Sequence, residues 1–156
     1  MKPSAERTNA DCTISVLSVG PMAEDHTSLR NILDSADPAM CGKFRWQVRA
    51  SFTARGVAEL VRAGSIPIVV CENDLHPGAW REMLAHLADL PNPPLVIVTS
   101  RHADDYLWVE ALNLGAYDVL AKPFEPREVT RTLIHAWQRW NSRSRARAVA
   151  AGQSFA

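Results

Sequence analysis

The sequence predicts an open, parallel α/β sheet covered by helices on both sides. Three observations carry that expectation. Five short β-rich runs alternate with five helical patterns along 156 residues, which is the order that parallel sheets with crossover helices require. Two of the runs, Ile66-Pro67-Ile68-Val69-Val70-Cys71 and Leu95 to Val98, are apolar without a polar gap, as in strands buried on both faces. Glycine and proline punctuate the boundaries, at Gly20-Pro21, Gly64 and Pro91-Asn92-Pro93-Pro94, where turns demand them.

In chain order, residues 1–12 are polar and aperiodic and are expected to be a disordered lead-in. Thr13 to Val19 reads as the first strand, and Gly20-Pro21 ends it. A helix starts near Glu24, with Leu29, Ile32 and Leu33 as its apolar stripe. Asp34 to Lys43 reads as a loop. Phe44 to Phe52 alternates, with Phe44, Trp46, Val48 and Ala50 on one side, the pattern of an edge strand with one wet face. Thr53 is the expected N-cap of a helix carrying Val57, Leu60 and Val61, closed by Gly64. The apolar run from Ile66 follows as the third strand and stops at Glu72-Asn73-Asp74. Gly78 to Leu90 is a helix with Trp80, Met83, Leu84 and Leu87 inward. After the fourth strand, which ends in Thr99-Ser100, residues 102–114 form a helix closed by Gly115. Tyr117 to Ala121 is the last strand. Lys122-Pro123-Phe124 turns into a long helix with Val129, Leu133, Trp137 and Trp140 on one face. Residues 13–140 make one domain, and residues 141–156 a basic, Ala-rich tail.

Bulk composition excludes several classes. It is that of a soluble globular protein, 47% hydrophobic and 22% charged. Seventeen basic and seventeen acidic side chains cancel, which disfavours nucleic acid as the partner of the whole surface. No apolar run reaches the ~20 residues of a membrane span, and no signal core opens the chain, so a cytoplasmic location is expected. Cys12, Cys41 and Cys71 form neither a metal pair nor a disulfide framework. Cys71 ends an apolar strand and reads as a buried structural thiol. His26, His76, His86, His102 and His135 lack zinc spacing, and no serine has a hydrolase context.

In a parallel sheet the strand ends converge. Glu72 and Asp74, Thr99 and Ser100, and Lys122 would meet at one edge. An acid, a hydroxyl and an ammonium together suit a phosphoryl group. Val98-Thr99-Ser100, Gly115-Ala116-Tyr117-Asp118 and Lys122-Pro123-Phe124, with the spacing of all five units over residues 13–140, resemble the receiver domain of two-component response regulators. The resemblance implies a flavodoxin-like, doubly wound (βα)5 sheet in strand order 2-1-3-4-5. It implies a phosphoacceptor position at Glu72, a switch hydroxyl at Thr99, the site lysine at Lys122, and a cis bond before Pro123. It further implies a non-enzymatic signalling role through a protein partner, a histidine kinase or a downstream signalling protein. The face of helix four, strand five and helix five would serve that partner or a homodimer; Trp108, Val119 and Trp140 are its candidate residues.

The sequence departs from that pattern. Relatives place a magnesium-binding acid pair directly after strand one, where this chain has Gly20-Pro21 and acids only at Glu24-Asp25. Magnesium needs oxygen ligands near ~2.1 Å. Gly20 and Pro21 have none in their side chains, so magnesium is disfavoured and no cofactor is expected. Glu24 and Asp25 read as helix-start acids that suit the dipole. Glu72 is one methylene longer than aspartate, and a misplacement of about 1 Å can cost ~100-fold in rate. Glu72 therefore either pairs with Lys122 to satisfy a buried ammonium, or imitates a phosphorylated aspartate by reaching Lys122 or Thr99. The expectation is a stand-alone, atypical receiver that signals without conventional phosphorylation. Two alternatives stay open. One is phosphorylation at Glu72 or Asp74 with a rearranged metal site that uses Glu24 or Asp25. The other is nucleic-acid association through Arg127, Arg131, Arg139, Arg143, Arg145 and Arg147.

Overall fold

A computed structural model describes residues 12–37, 44–75 and 78–152. The expected disorder of the lead-in, most of the 34–43 loop, Cys41 and His76 lie outside the described residues. The five strands are β1 (Cys12–Val19), β2 (Phe44–Ser51), β3 (Ile68–Glu72), β4 (Leu95–Ser100) and β5 (Asp118–Ala121). They form one parallel sheet in the order β2-β1-β3-β4-β5. The helices are α1 (Ala23–Asp34), α2 (Val57–Gly64), α3 (Ala79–Ala88), α4 (Asp105–Asn113) and α5 (Pro126–Ala150).

Central β3 is buried along its whole length, because helices cover both of its faces. Leu17, Val69, Cys71 and Val98 point to one side and pack with α2, α3 and α4, around Trp80, Leu87, Leu107 and Ala111. Val16, Ile68, Val70 and Ile97 point to the other side, where α1 and α5 supply Leu29, Leu33, Val129 and Leu133. Edge strand β2 alternates between half-buried and exposed residues as far as Arg49, as its sequence pattern predicts. Burial raises the Cys71 thiol to about 12, so it stays protonated and inert at neutral pH.

Two local expectations need correction. Thr53 does not cap α2. The chain first makes another turn, with Val57 N donating to Ala54 O at 3.4 Å, and the residue before the helix is Gly56 at φ 77° with no side-chain cap. Nor does Gly64 supply the left-handed residue that ends α2; Ser65 does, at φ 49°. Gly64 is small for a packing reason, since a Cβ there would sit 3.3 Å from Arg49 Nη1 and 3.4 Å from Ile66 Cγ1.

Other boundaries have clear causes. Asp104 caps α4 by accepting from Leu107 N at 2.9 Å, which delays its start beyond residue 102. Glu125 caps α5 through Arg127 N and Glu128 N at 3.2 and 2.7 Å, and Pro126 takes the first helical position, where its missing N–H costs nothing. The Lys122-Pro123 bond is cis. Helix α5 runs unbroken across residue 140 to Ala150. Arg143 donates to Pro93 O, Arg147 Nη1 donates to Pro91 O at 2.9 Å, and Asn92 Nδ2 donates to Ser144 Oγ at 3.0 Å. These bonds hold the helix extension against the α3–β4 connection.

Candidate functional site

The register of the sheet assembles the site. Glu72 on β3 lies opposite Thr99 on β4, and Thr99 opposite Leu120 on β5. Lys122 follows two residues later, its N–H bonded to Ser100 O at 2.9 Å. Three strand ends thereby bring a carboxylate, a hydroxyl and an ammonium together. Glu72, Thr99 and Lys122 are all buried, 5%, 2% and 8% exposed. Unpaired charges at that depth would be costly, so the partners decide the chemistry.

Glu72 is fully engaged. Its Oε2 accepts from Thr99 Oγ1 at 3.2 Å and forms an ion pair with Lys122 Nζ. Its Oε1 lies 3.5 Å from the Asp74 N–H. Lys122 also donates to Asp25 Oδ2 at 2.5 Å. Asp25 thus turns inward from the first turn of α1; the sequence favours a helix-start role for it and leaves a place in the acidic site as the alternative. Arg101 stands at the rim, 4.0 Å from Asp25 Oδ1 and largely exposed. The ammonium sits between two carboxylates, in the space between the end of β3 and the start of α1.

The remaining predicted residues divide clearly. Glu24 is exposed and directed away, on a shallow groove with Ala23, Thr27 and Asn31. Asp74 is exposed and touches Asn73 Nδ2 at 3.4 Å. Pro123 turns the chain after Lys122. Trp108 is 49% exposed, but Val119 is 7% exposed and packs among Leu107, Ala111 and Ala116. Val119 therefore adds no surface to a partner face, because its strand is covered by α4. Trp140 is half-buried and stacks on Trp137 at 5.7 Å.

Two residues, His26 with no role expected from the sequence and Gly20 expected only to end β1, shape the pocket. His26 is buried beside the end of β1; its Nε2 donates to Gly20 O at 2.9 Å and its Nδ1 pairs with Ser18 Oγ at 2.7 Å. Nothing in its spacing distinguishes it from the other histidines. Gly20 leaves room for Glu72, since a Cβ at Gly20 would lie 3.3 Å from Glu72 Cβ. That is too close for two atoms on hydrogen-bonded strand ends to adjust freely. Gly20→Ala is expected to cost about 1 kcal/mol through overpacking. Urea melts of both proteins check this; an unchanged midpoint would mean that β1 and β3 separate easily at this edge.

The donor set does not fit the magnesium that receivers hold. Gly20 and Pro21 present no side-chain oxygen, and Asp25 and Glu72 share the single Lys122 ammonium. Among the described residues no group of three or more His, Cys, Asp or Glu side chains could hold a metal ion. The arrangement holds an internal ion pair, with Glu72 Oε2 shared between Thr99 and Lys122.

Comparison with known proteins places the fold. No family model matches the sequence. The chain is 26% identical over 132 residues to the two-component response regulator-like protein PRR1 of Oryza sativa subsp. japonica, covering 77% of this chain and 25% of that protein. It is 32% identical over 120 residues to the two-component response regulator-like protein APRR1 of Arabidopsis thaliana, covering 74% of this chain and 18% of that protein. The chain thus spans about a quarter or less of these relatives. Among solved structures, the beryllofluoride-activated NtrC4 receiver domain dimer superposes with a TM-score of 0.68 at 22% identity, over 81% of this chain and 98% of that one.

Proposed function

From its receiver-domain fold of the two-component response-regulator kind, we propose that this chain signals through protein contacts without accepting a phosphoryl group at the β3 position. The supporting observation is the closed network at Glu72. Both carboxylate oxygens have partners, and the cation between Glu72 and Asp25 is the chain's own Lys122. A phosphoacceptor needs a free oxygen in line with the leaving group and a second cation to neutralise the developing charge. Here the ammonium does the neutralising before any phosphate arrives. Glu72 satisfies a buried lysine and keeps the strand ends together, which fixes the surface next to them.

That surface is centred on α4. Leu107 and Ala111 point inward, while Tyr106 is 87%, Trp108 49% and Val109 52% exposed. Exposed aromatics on a helix anchored by its opposite face are the composition of an interaction core. The partner in this reading is a protein, either a signalling partner or a second copy, and the role is not enzymatic. No helix among the described residues is long and apolar enough to cross a membrane.

The experiment is incubation of the full chain with acetyl phosphate and magnesium, read by intact mass. The expected spectrum shows unmodified protein. A gain of one phosphoryl group that disappears in Glu72→Gln or Asp74→Asn would overturn the reading and restore a rearranged phosphoacceptor site.

A further inference from the structure

Helix α5 carries an arrangement that the signalling role does not use. Arg127, Arg131, His135, Arg139, Arg143 and Arg147 recur at every fourth residue of one continuous helix. Four residues advance a helix by about 400°, so the row drifts by about 40° per step. The core-facing residues Val129, Leu133, Ala136 and Trp137 set the inner side. On that wheel Arg127, Arg131, His135 and Arg139 lie on the outer face, and all four are exposed. Arg145 returns to the same outer azimuth as Arg127 and is exposed too. Only the last steps of the row rotate inward. There Arg143 and Arg147 bond the Pro93 and Pro91 carbonyls, which explains those two in structural terms.

The outer four arginines have no such explanation. No carboxylate of the described residues lies within ion-pairing reach of Arg127, Arg131, Arg139 or Arg145. Glu128, in the first turn, is the one acid of the helix. Like charges at this spacing destabilise a helix. The crowding is felt at Arg143, whose guanidinium is pulled below its ordinary value first by burial and then by Arg147 and Arg139. In a chain of zero net charge, an uncompensated cationic face on one rigid element calls for an anionic partner.

We propose that the outer face of α5 binds the phosphate backbone of double-stranded DNA. From Arg127 to Arg145 the row extends about 27 Å, close to the ~34 Å helical turn of B-form DNA. The B-form major groove is about 12 Å wide, so its phosphate rims can straddle a helix of 10–12 Å diameter. The narrow major groove of A-form RNA cannot. A membrane surface fits less well, because an interfacial helix inserts its apolar side. The apolar side of α5 is spent on the core, with Val129 and Leu133 at 1% and 0% exposed. The contacts are to phosphate, so binding is independent of sequence.

The test uses the full chain and a labelled 20-base-pair DNA of arbitrary sequence, titrated between 50 and 200 mM salt. Four phosphate contacts give a slope of log K against log salt of about −3.6, or roughly 100-fold weaker binding across that range. The variant Arg131→Gln/Arg139→Gln/Arg145→Gln removes side chains with no internal partner. It should keep its circular dichroism and melting temperature while the slope falls to about −1. No DNA binding at 50 mM salt would overturn the proposal, as would a slope unchanged in the triple variant. Equal or tighter binding to a duplex RNA of the same length, or to phosphatidylserine vesicles, would also overturn it and reassign the face.

Discussion

Replacing Lys122 with methionine is expected to destabilise the protein by about 3–5 kcal/mol. The ammonium is buried between Glu72 and Asp25. Without it Glu72, 5% exposed, must either carry a stranded charge or take up a proton, with only Thr99 Oγ1 and the Asp74 N–H as donors. The cost is that of a carboxylate left without its cation. It does not measure what the ion pair contributes, because the pair is also desolvated. Replacing both partners, as in Glu72→Met/Lys122→Met, should therefore recover most of the loss. Asp25 is only partly buried and can turn to solvent beside Arg101. Urea unfolding of the wild type, both single variants and the double variant measures the coupling. A Lys122→Met loss below about 1 kcal/mol would show that Glu72 does not depend on the lysine, and the closed-network account of the site would fail with it.

Trp80→Ala is expected to cost about 3–5 kcal/mol. Trp80 is completely buried at the start of α3, in the cluster that holds β3 and β4 against α2 and α4. The surrounding strands are paired on both sides and cannot collapse into the space. Trp80 also reaches back to the site, since its Nε1 donates to Asn73 Oδ1 at 2.7 Å, and Asn73 N in turn donates to Thr99 O at 2.7 Å. Trp80→Phe keeps most of the packing but loses the donor and part of the ring volume, so it should cost about 1–3 kcal/mol. Thermal melts of the two variants separate packing from hydrogen bonding. Equal losses would assign the whole effect to the bond with Asn73.

Much of the fold was legible because its signals are local. The runs at Val69 and Val96 have no polar gap, so they had to be central strands, whereas Phe44 to Ser51 alternates and had to be an edge. The helices over Trp80–Leu87 and Val129–Trp137 showed their inner faces in their periodicity. Errors fell where two residue types could serve one turn. Thr53 looked like a cap and Gly64 like a terminator, but Ser65 carries the left-handed backbone and Gly64 avoids a clash with Arg49 and Ile66. Val119 could be placed on β5, but its burial depends on how α4 lies across that strand.

The composition of the candidate site, an acid, a hydroxyl and a lysine at three parallel strand ends, was determined by the sequence, because parallel pairing sends those ends to one edge. So was the mismatch with a magnesium site, because Gly20 and Pro21 carry no side-chain oxygen. Only the tertiary structure decided the pairing. Asp25 is 97 positions from Lys122, and no local pattern shows that the first turn of α1 tilts it inward while Glu24 faces water. Gly20 next to Glu72 is likewise a contact between strands 52 residues apart, visible only once β1 lies beside β3. Charge type is a property of the residue. Whether a charge is spent inside the fold or offered to a partner depends on distances across the fold, as at Lys122 and along the outer face of α5.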